Sequence, residues 1–495
     1  MRLRLVQVRA RYVADALTPI EVFERLVAPG EAGFILESVD QQGRWSRYSV
    51  VGRRPLARVI GEVGHARLEA ADGSVLDEAP GILDGLRRWS EGLEVDAVDD
   101  GCPMAGPFSA AFVGHVGYEA VREREPSVPS SHPDDVGLPE ARLLLAGDLA
   151  VIDHWAQSLT LSSALLVEDD PVGAAAAARA ALSRLEADLE SAVGRPVRAW
   201  PLGDDPSEGV ALLDQGFREP FAHAVRLAKQ AIDEGEVFQV VLSHRFELTT
   251  RANPLALYRA LRLTNPSPYM YLITDAGGAI VGSSPEALAT VRDGVVWTRP
   301  IAGSRPRGSG GASDEALIEE LLADPKERAE HLMLVDLARN DVGRVARFGS
   351  VVVDEFMVPE RFARVIHLTS SVHGQLTDGV GPIDALAATL PAGTLSGAPK
   401  VRAMQLIDEL ESKRRVVYGG VVGYVGRDGT DPESAVMDFA IAIRTAVWLE
   451  NGRVLLQAGA GIVAGSDPER EATECVAKAA AVARAVAVAD RLIEV

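Results

Sequence analysis

The chain has 495 residues and a formal charge of −21, which follows from 50 basic and 71 acidic side chains. Hydrophobic residues make up 47% of it and charged residues 24%, the balance of a folded globular protein and not of a disordered one. So negative a chain argues against a nucleic-acid binder and against docking on an anionic membrane, because both need a basic surface. The length predicts two to three structural units of roughly 150 residues.

Cysteine content and hydropathy predict a cytoplasmic protein. The two cysteines, Cys102 and Cys475, allow one disulfide at most, which favours a reducing compartment. Arginines interrupt the first residues, which therefore lack the apolar core of a signal peptide. An uncharged apolar stretch of about 18 residues, the length that a membrane span needs, does not occur, so we expect no membrane association.

Residues 1–195 predict a smaller N-terminal domain of strands and helices. Residues 33–53 indicate two strands joined by a polar turn, and residues 110–121 indicate a buried strand that enters a glycine-rich turn. The alanine-rich stretch 173–193 predicts a helix. Prolines, glycines and acidic residues then cluster in 196–216, which we interpret as a linker.

Residues 217–495 predict a larger C-terminal domain in which strands and helices alternate. The pattern indicates an amphipathic helix at 218–237, helices on both sides of Pro325 within 314–346, and a final helix at 467–493. We expect sheet strands at 237–249, 416–426, 435–450 and 453–465. The expected class is α+β, built in the layers of an α/β sandwich.

Three segments rich in small residues are candidates for ligand binding. Residues 298–308 hold three arginines and two glycines after a strand, which suits a carboxylate ligand but also a solvated basic loop. Residues 391–400 form a Gly/Ser/Thr turn before a helix, which can bind an anion or simply cap that helix. Residues 457–463 suit a close substrate approach or tight packing, and they lack the third glycine of a dinucleotide motif.

Several polar side chains are candidates for metal binding or proton transfer. Glu330 lies in a predicted helix, and Glu474 and Lys478 share one face of the final helix. Two glutamates from separate helices suit Mg²⁺, although a solvated helix charge is the simpler interpretation of each alone. Glu286 follows a buried strand, where it could transfer a proton. His367 lies on an apolar segment, where a core histidine is the simpler interpretation.

Taken in order, ten segments of the chain resemble the family of chorismate-utilising enzymes. They are NPSPYMYL, GSSPEAL, TRPIAGSRPRG, DPKERAEHLMLVDLARNDVGRV, RVIHLTSSVHG, PAGTLSGAPKVRAM, YGGVVGY, AIAIRT, QAGAGIV and DPEREATECVAKA. The segment FILESVD extends the resemblance into the N-terminal part. The resemblance implies an α+β fold with a chorismate-binding catalytic domain at 217–495 and a regulatory domain at 1–195.

The resemblance also implies roles for individual residues. Glu330 and Glu474 match the positions that ligate Mg²⁺. Glu286 and His367 match the pair that handles protons near the departing C4 hydroxyl of chorismate, and Thr394 joins them as a catalytic residue of the PAGTLSG turn. The implied substrate contacts are Gly303, Ser304, Tyr418, Arg444, Gly459, Ala460, Gly461 and Lys478. Ser304 stands where the family usually has threonine, so the hydroxyl group is retained.

Two positions select among the activities of the family. Ala302 stands where aminodeoxychorismate synthases carry a nucleophilic lysine, and alanine cannot be a nucleophile. Gln239 stands where isochorismate and salicylate synthases carry a lysine that activates water. We therefore expect the ammonia-dependent reaction that forms anthranilate and pyruvate in tryptophan biosynthesis. Aminodeoxychorismate, isochorismate or salicylate synthesis, and a non-catalytic ligand-sensing homologue, are the alternatives.

We expect the ammonia to come from a separate glutamine amidotransferase subunit. Such a domain needs a nucleophilic cysteine in a Gly-x-Cys-x-Gly-like turn, and neither Cys102 nor Cys475 has that setting. A hetero-oligomer is therefore expected.

The resemblance implies feedback inhibition by L-tryptophan. Glu37 and Ser38 would address its amino group, while Pro268, Tyr269 and Met270 would supply backbone contacts and an apolar wall for the indole ring. The alternative is a plain strand pair in which these side chains only pack in the core.

Overall fold

The computed structural model describes residues 1–15, 17–38, 47–98, 102, 106–167, 170–191, 207–214, 216–307, 313–361, 365–431 and 434–493. The helices are α1 (Pro19–Leu26), α2 (Ile82–Glu91), α3 (Pro171–Ser191), α4 (Ser207–Ala211), α5 (Arg218–Asp233), α6 (Pro254–Thr264), α7 (Asp314–Ala323), α8 (Pro325–Gly343), α9 (Pro382–Thr389), α10 (Lys400–Leu410) and α11 (Pro468–Ile493). Short 3₁₀ helices lie at Tyr118–Glu123 and Gly393–Leu395.

The strands fall on both sides of the predicted linker. Before it lie β1 (Leu3–Val13), β2 (Gly33–Glu37), β3 (Tyr48–Glu62), β4 (His65–Ala70), β5 (Val75–Ala79), β6 (Leu93–Ala97), β7 (Ala110–Val116), β8 (Ala141–Asp153) and β9 (Ser158–Leu166). After it lie β10 (Gln239–Thr249), β11 (Tyr269–Asp275), β12 (Gly278–Ser284), β13 (Ala287–Arg292), β14 (Val295–Thr298), β15 (Ile301–Pro306), β16 (Val352–Arg361), β17 (Val365–Gln375), β18 (Gly397–Ala398), β19 (Val421–Arg427), β20 (Ala435–Ile441), β21 (Thr445–Leu449) and β22 (Arg453–Ile462).

The strand pairings follow two orders that share the long pair β3–β8. The first order is β6-β1-β9-β8-β3-β2-β11-β12-β21-β22-β10-β18. The second is β5-β4-β3-β8-β7-β19-β20-β13-β14-β17, with β15 and β16 also on β17. The register of β3 against β8 shifts at Pro55, beside Arg54 with φ 51°. Because a bulge bends a strand, the shared pair can leave one sheet there and enter the other.

Strands from both predicted domains contribute to both sheets. In the first sheet β2 pairs with β11, and in the second β7 pairs with β19. The division into 1–195, 196–216 and 217–495 stays a prediction. Of the predicted linker, residues 196–206 and 215 lie outside the described residues. Helix α4 packs closely on α11, since a Cβ at Gly209 would lie 2.4 Å from the Ala480 carbonyl oxygen.

Three hydrophobic cores show how the layers stack. The first core lies between the first sheet and helices that include α3, α5, α6 and α11. The second lies between the second sheet and helices that include α2 and α9. A third core joins the facing sides of the two sheets, for instance through Phe34 and Tyr271 from one and Val113 and Val422 from the other. The layers therefore run helix, sheet, sheet, helix, which confirms the α+β class.

Most predicted elements are confirmed, and their ends have local causes. Helix α8 begins at Pro325, where the Asp324 side chain accepts hydrogen bonds from the first free N–H groups. The stretch 435–450 is not one strand: β20 belongs to the second sheet and β21 to the first, and the chain crosses between them at Arg444. Within the described residues, no helix is both long enough and apolar enough to cross a membrane.

Candidate active site

The carboxyl group of Glu286 is buried at the start of the second sheet. The residue follows directly after β12, is 8% exposed, and accepts a hydrogen bond of 3.4 Å from the Thr394 hydroxyl. Burial raises the pKa of Glu286 to about 8, although Thr394, a backbone N–H, Lys478 and Arg444 all act to lower it. Glu286 is therefore mostly protonated at neutral pH and can donate a proton.

His367, the predicted partner of Glu286, has the opposite protonation behaviour. It lies on β17, with Nδ1 3.1 Å from the Gly303 carbonyl oxygen. Burial lowers the pKa of His367 to about 4, so the ring is neutral at neutral pH. Since a carbonyl can only accept, we assign the ring proton to Nδ1, which leaves Nε2 as a proton acceptor. Arg444 and Lys478 influence the pKa of both Glu286 and His367, so the structure brings these four side chains together.

Arg444 occupies the point where the chain passes from β20 to β21. Its φ of 49° lies in the left-handed region, which costs a non-glycine residue on the order of 1–3 kcal/mol. Burial lowers the pKa of Arg444, and Glu286 acts in the opposite direction. A charged guanidinium thus stands at a fixed place between the two sheets, which suits an anionic ligand.

The glycines of β22 lie under Lys478. The ammonium group of Lys478 donates to the Gly459 carbonyl over 3.0 Å and pairs with Glu474 over 2.8 Å. A Cβ at Gly459 would lie 2.2 Å from a carbonyl oxygen of β10, so glycine is required there. The Ala460 side chain is 1% exposed and packs in the core, so this residue can reach a ligand only through its backbone. Gly461 lies beside the Gln239 amide.

The other predicted substrate contacts lie on β15 and after α10. Gly303 has a φ of 82°, a conformation that glycine adopts without strain. Ser304 is exposed and pairs with His367 in the β15–β17 register. Tyr418 is 8% exposed, and burial raises the pKa of its phenol, which stays neutral. Glycine, hydroxyl and phenol groups can position a polar substrate without changing its charge.

The two predicted metal ligands lie on different helices. Glu330 is on α8 and Glu474 on α11, and Glu471 interacts electrostatically with each of them. Burial raises the pKa of Glu330, and the nearby negative charges add to the rise. Among the described residues no three His, Cys, Asp or Glu side chains group as a metal cage. Mg²⁺ needs only one or two carboxylates plus substrate oxygens. Glu330 and Glu474 therefore suit Mg²⁺ better than they suit a metal ion that is held by protein ligands alone.

The arginines of 298–308 are neutralised within the protein. Arg299 pairs with Glu360, Arg305 with Glu320 and Asp324, and Arg307 with Asp314. Residue 308, the second glycine of the segment, lies outside the described residues. Lys400, at the end of the 391–400 turn, is also paired, with Asp341 over 2.8 Å. The sequence suggested that these cations bind an anionic ligand. In the structure they form ion pairs with acidic side chains of the protein.

A separate cavity of about 200 Å³ collects all five residues of the predicted tryptophan site. Glu37, Ser38, Pro268, Tyr269 and Met270 line it. The carboxylate of Glu37 already accepts from the Tyr258 hydroxyl and from Arg262 on α6. The hydroxyl oxygen of Ser38 is buried and has no hydrogen-bond partner among the residues that the structure describes. An unpaired buried hydroxyl is costly unless a ligand or water satisfies it.

Sequence reasoning missed Asp438, which also lines this cavity. Asp438 lies on the otherwise apolar strand β20, and burial raises its pKa to about 7. Its carboxyl group is hydrogen-bonded to Tyr269, while its Oδ1 atom is buried without a partner in the described part of the chain. One aspartate in an apolar run was the signal, since a buried carboxylate needs a partner or a function.

Comparisons with known proteins find similar sequences and similar folds. A family described as "chorismate binding enzyme" matches residues 48–484. Anthranilate synthase component 1 of Arthrobacter globiformis is 46% identical over 99% of this chain and 91% of the relative, and that of Mycolicibacterium smegmatis is 44% identical over 99% and 92%. The crystal structure of anthranilate synthase component I from Streptococcus pneumoniae TIGR4 matches with a TM-score of 0.73 and 34% identity, over 96% of this chain and 99% of that one. The menaquinone-specific isochorismate synthase from Escherichia coli matches with a TM-score of 0.69 at 20% identity, over 98% and 95%, so it shares the fold alone.

Proposed function

The chain belongs to the family of chorismate-binding enzymes, and we propose that it is the large subunit of an anthranilate synthase, which converts chorismate and ammonia to anthranilate and pyruvate. The observation that carries the proposal is the buried, protonated Glu286 beside Thr394, Arg444 and Lys478. Relatives of the same name align over nearly the whole chain.

Substrate binding follows from local positive charge. Chorismate carries two carboxylates, and a protein with a net charge of −21 must hold them against its own field. Arg444 supplies a buried cation. Lys478 supplies a second one, which is also paired with Glu474 over 2.8 Å. The glycine-rich backbone of β22 can approach the substrate closely. The Arg444 side chain is buried and interacts electrostatically with Glu286, so its charge lies beside the proposed acid.

Proton transfer accounts for the first chemical step. Ammonia adds at C2 of the ring while the C4 hydroxyl leaves, and Glu286 protonates that hydroxyl so that it departs as water. The proton released by the added ammonia can then restore the acid. In the second step the C2 proton is removed, the bond to the enolpyruvyl oxygen breaks, and pyruvate leaves an aromatic ring. The neutral His367, with Nε2 as an acceptor, can take part in proton removal.

Glu330 and Glu474 would hold a Mg²⁺ ion, since they are carboxylates on two helices, α8 and α11, and Glu471 interacts electrostatically with both. When bound, the ion supplies charge stabilisation at the ring carboxylate of the substrate. Lys326 lies 3.6 Å from Glu330, and Lys478 lies 2.8 Å from Glu474. These lysines reduce the repulsion between the carboxylates.

Two positions favour ammonia as the nucleophile and anthranilate as the product. Ala302 offers no nucleophilic side chain, which argues against the covalent route of aminodeoxychorismate synthases. Gln239, beside Gly461, cannot act as a base at neutral pH, which argues against activation of water. The metal and substrate positions are retained, except that serine replaces threonine at position 304, and this argues against a non-catalytic sensor.

The ammonia would come from a separate glutaminase subunit in a hetero-oligomer. Burial raises the pKa of Cys475 to about 12, so its thiol is a poor nucleophile. Cys102 and Cys475, both described by the structure, are not joined in a disulfide, and we propose a cytoplasmic location.

L-Tryptophan is the proposed occupant of the cavity of about 200 Å³. The apolar walls from Met270 and Tyr271 suit an indole ring, and the Ser38 hydroxyl and the Asp438 carboxylate are available to a polar ligand. Binding there inhibits only if tryptophan prefers one conformation of the enzyme, and chorismate must then weaken tryptophan by the same factor, on the order of 1–3 kcal/mol.

An assay of anthranilate fluorescence tests the proposed function. The purified chain should form anthranilate from chorismate with Mg²⁺ and an ammonium salt, and should form none from glutamine alone. Product from glutamine without a partner would contradict the two-subunit arrangement. Accumulation of isochorismate, salicylate or aminodeoxychorismate would contradict the assigned reaction.

A further inference from the structure

A fully buried arginine, Arg415, joins three segments that border the active site. The residue is 3% exposed, in the connection between α10 and β19. Its Nη1 donates to the Leu395 carbonyl over 2.6 Å, and its Nη2 donates to the Val241 carbonyl over 2.8 Å. Its Nε and Nη2 also bind both oxygens of Glu411, over 2.9 and 2.5 Å. One guanidinium therefore ties the connection to the 391–398 turn and to β10.

The same guanidinium packs on two aromatic rings. It lies 4.8 Å from the ring centroid of Tyr118 and 5.5 Å from that of Tyr418. The backbone N–H of Tyr418 also donates to the Arg415 carbonyl over 3.1 Å. Since Tyr418 is a proposed substrate contact, Arg415 borders the substrate site without having to touch the substrate.

The bond to Leu395 reaches the acid of the reaction through one neighbouring residue. Leu395 follows Thr394, whose hydroxyl donates to Glu286. The next residue of the turn, Ser396, accepts from the Val241 N–H over 2.9 Å, so Arg415 and β10 hold the same turn side by side. A shift of the guanidinium would therefore move the Thr394 hydroxyl relative to Glu286.

The charge of Arg415 is balanced by a carboxylate that is itself fully used. Glu411 also accepts from the backbone N–H and the hydroxyl of Ser243, over 2.8 and 2.7 Å. A buried ion pair is weak support for stability, because desolvation offsets the attraction between the charges. What the pair provides is geometry, since a planar guanidinium directs its donors at fixed angles and a lysine ammonium cannot do so.

We propose, on the basis of the function proposed above, that Arg415 is a positioning residue for the reaction. It holds the turn that carries Thr394 against Glu286, and it holds the ring of Tyr418 at the substrate. Nothing in this role requires contact with chorismate.

The variant Arg415→Lys tests the proposal, with Arg414→Lys as its matched control. Arg414 is the preceding residue; it is half-buried and, like Arg415, paired with a glutamate, but its partner Glu140 has no hydrogen bond to the turn among the described residues. We expect Arg415→Lys to lower kcat by on the order of 10²-fold, as a small misplacement near the reacting groups does. Arg414→Lys should leave kcat and its pH dependence close to those of the wild type.

The pH profile separates positioning from mere loss of folded protein. The hydrogen bond from the Thr394 hydroxyl favours the ionised form of Glu286, so weakening that bond raises the pKa of Glu286. The basic limb of the pH profile, which is the fall in kcat at high pH, then moves to higher pH. Four other charged groups face Glu286 or share its small cavity, and they are unchanged in the variant: Arg299, Asp341, Arg444 and Lys478. Arg415→Lys should therefore move the limb in the same direction as Thr394→Val. The double variant should move it no further than the larger single shift.

An unmoved basic limb in a folded Arg415→Lys enzyme would overturn the proposal, whatever the loss in kcat. If circular dichroism shows that this variant does not fold, Glu411→Gln replaces it, because the amide weakens the two-pronged bond while keeping its shape. A limb shifted upward in Glu411→Gln supports the proposal, and an unmoved one overturns it. Wild-type enzyme that forms no anthranilate in the same assay would refute the proposed function instead.

Discussion

Replacing Glu286 by glutamine asks whether the buried carboxyl group is the acid of the reaction. With a pKa raised to about 8, the carboxyl is about nine-tenths protonated at pH 7 and about one-tenth protonated at pH 9. An acid is active in its protonated form, so activity is present below the pKa and is lost as the pH rises through it. Wild-type kcat should therefore fall about tenfold between pH 7 and pH 9.

The variant should lose both rate and pH dependence. Glutamine keeps the size of the side chain but has no proton to give, so kcat should fall by about 10²- to 10⁴-fold, the usual contribution of a general acid. The basic limb near pH 8 should vanish with it. The assay is anthranilate fluorescence at saturating chorismate and Mg²⁺. Free ammonia must also be saturating at each pH, because ammonium titrates over the same range.

A second buried glutamate provides the matched control. Burial raises the pKa of Glu140 to about 8 as well, but this carboxyl lies against Arg414 and the Glu119 N–H, away from the site. Glu140→Gln should leave the basic limb in place. A limb that persists in Glu286→Gln, or one that moves in Glu140→Gln, would refute the assignment of the acid to Glu286.

Three further substitutions test other parts of the site. Glu474→Gln should lower turnover by well over ~10-fold when activity is titrated against Mg²⁺. Its control, Glu469→Gln, changes an exposed residue of the same helix and should leave turnover unchanged. Near-normal activity of Glu474→Gln would show that Glu474 is only a solvated helix charge. Ser38→Arg should fill the cavity proposed for tryptophan and abolish tryptophan binding in calorimetry, while anthranilate formation stays intact. Loss of both together would contradict the proposal of a separate regulatory site. Gly459→Ala should lower the free energy of unfolding by about 1–3 kcal/mol in chemical unfolding, because the added Cβ would lie 2.2 Å from the Leu242 carbonyl oxygen. An unchanged unfolding midpoint would count against that packing.

Local chemistry made several parts of the fold predictable. Asp324 with Pro325 marks the start of α8, and Asp467 with Pro468 marks the start of α11, because these residue types satisfy or do not need the first helical N–H groups. The sequence also placed Glu286 after a buried strand, as found. These predictions rest on neighbours in the chain, so they needed no knowledge of the tertiary fold.

The crossing at Arg444 could not be predicted in the same way. The residues on both sides of it are apolar and alternate as strands do, so the pattern indicates one strand over 435–450. Which sheet each half joins depends on partners far away in the chain, β13 for β20 and β12 for β21. The backbone conformation of Val416 could not be predicted either. Its φ of 57° is one that glycine adopts readily, and a β-branched residue does not indicate a turn.

The positions of Tyr269 and its neighbours offer a physical route by which the proposed tryptophan binding would affect the proposed active site. Pro268 and Tyr269 line both the cavity of about 200 Å³ and a second cavity of about 430 Å³. That second cavity shares Thr298 and Arg299 with the small cavity that contains Glu286. A ligand that moves Tyr269 away from Asp438 would thus change packing at a wall common to both spaces. Coupling through packed side chains of this kind requires two discrete arrangements, and the hydrogen bond between Tyr269 and Asp438 is the contact whose making or breaking would distinguish them.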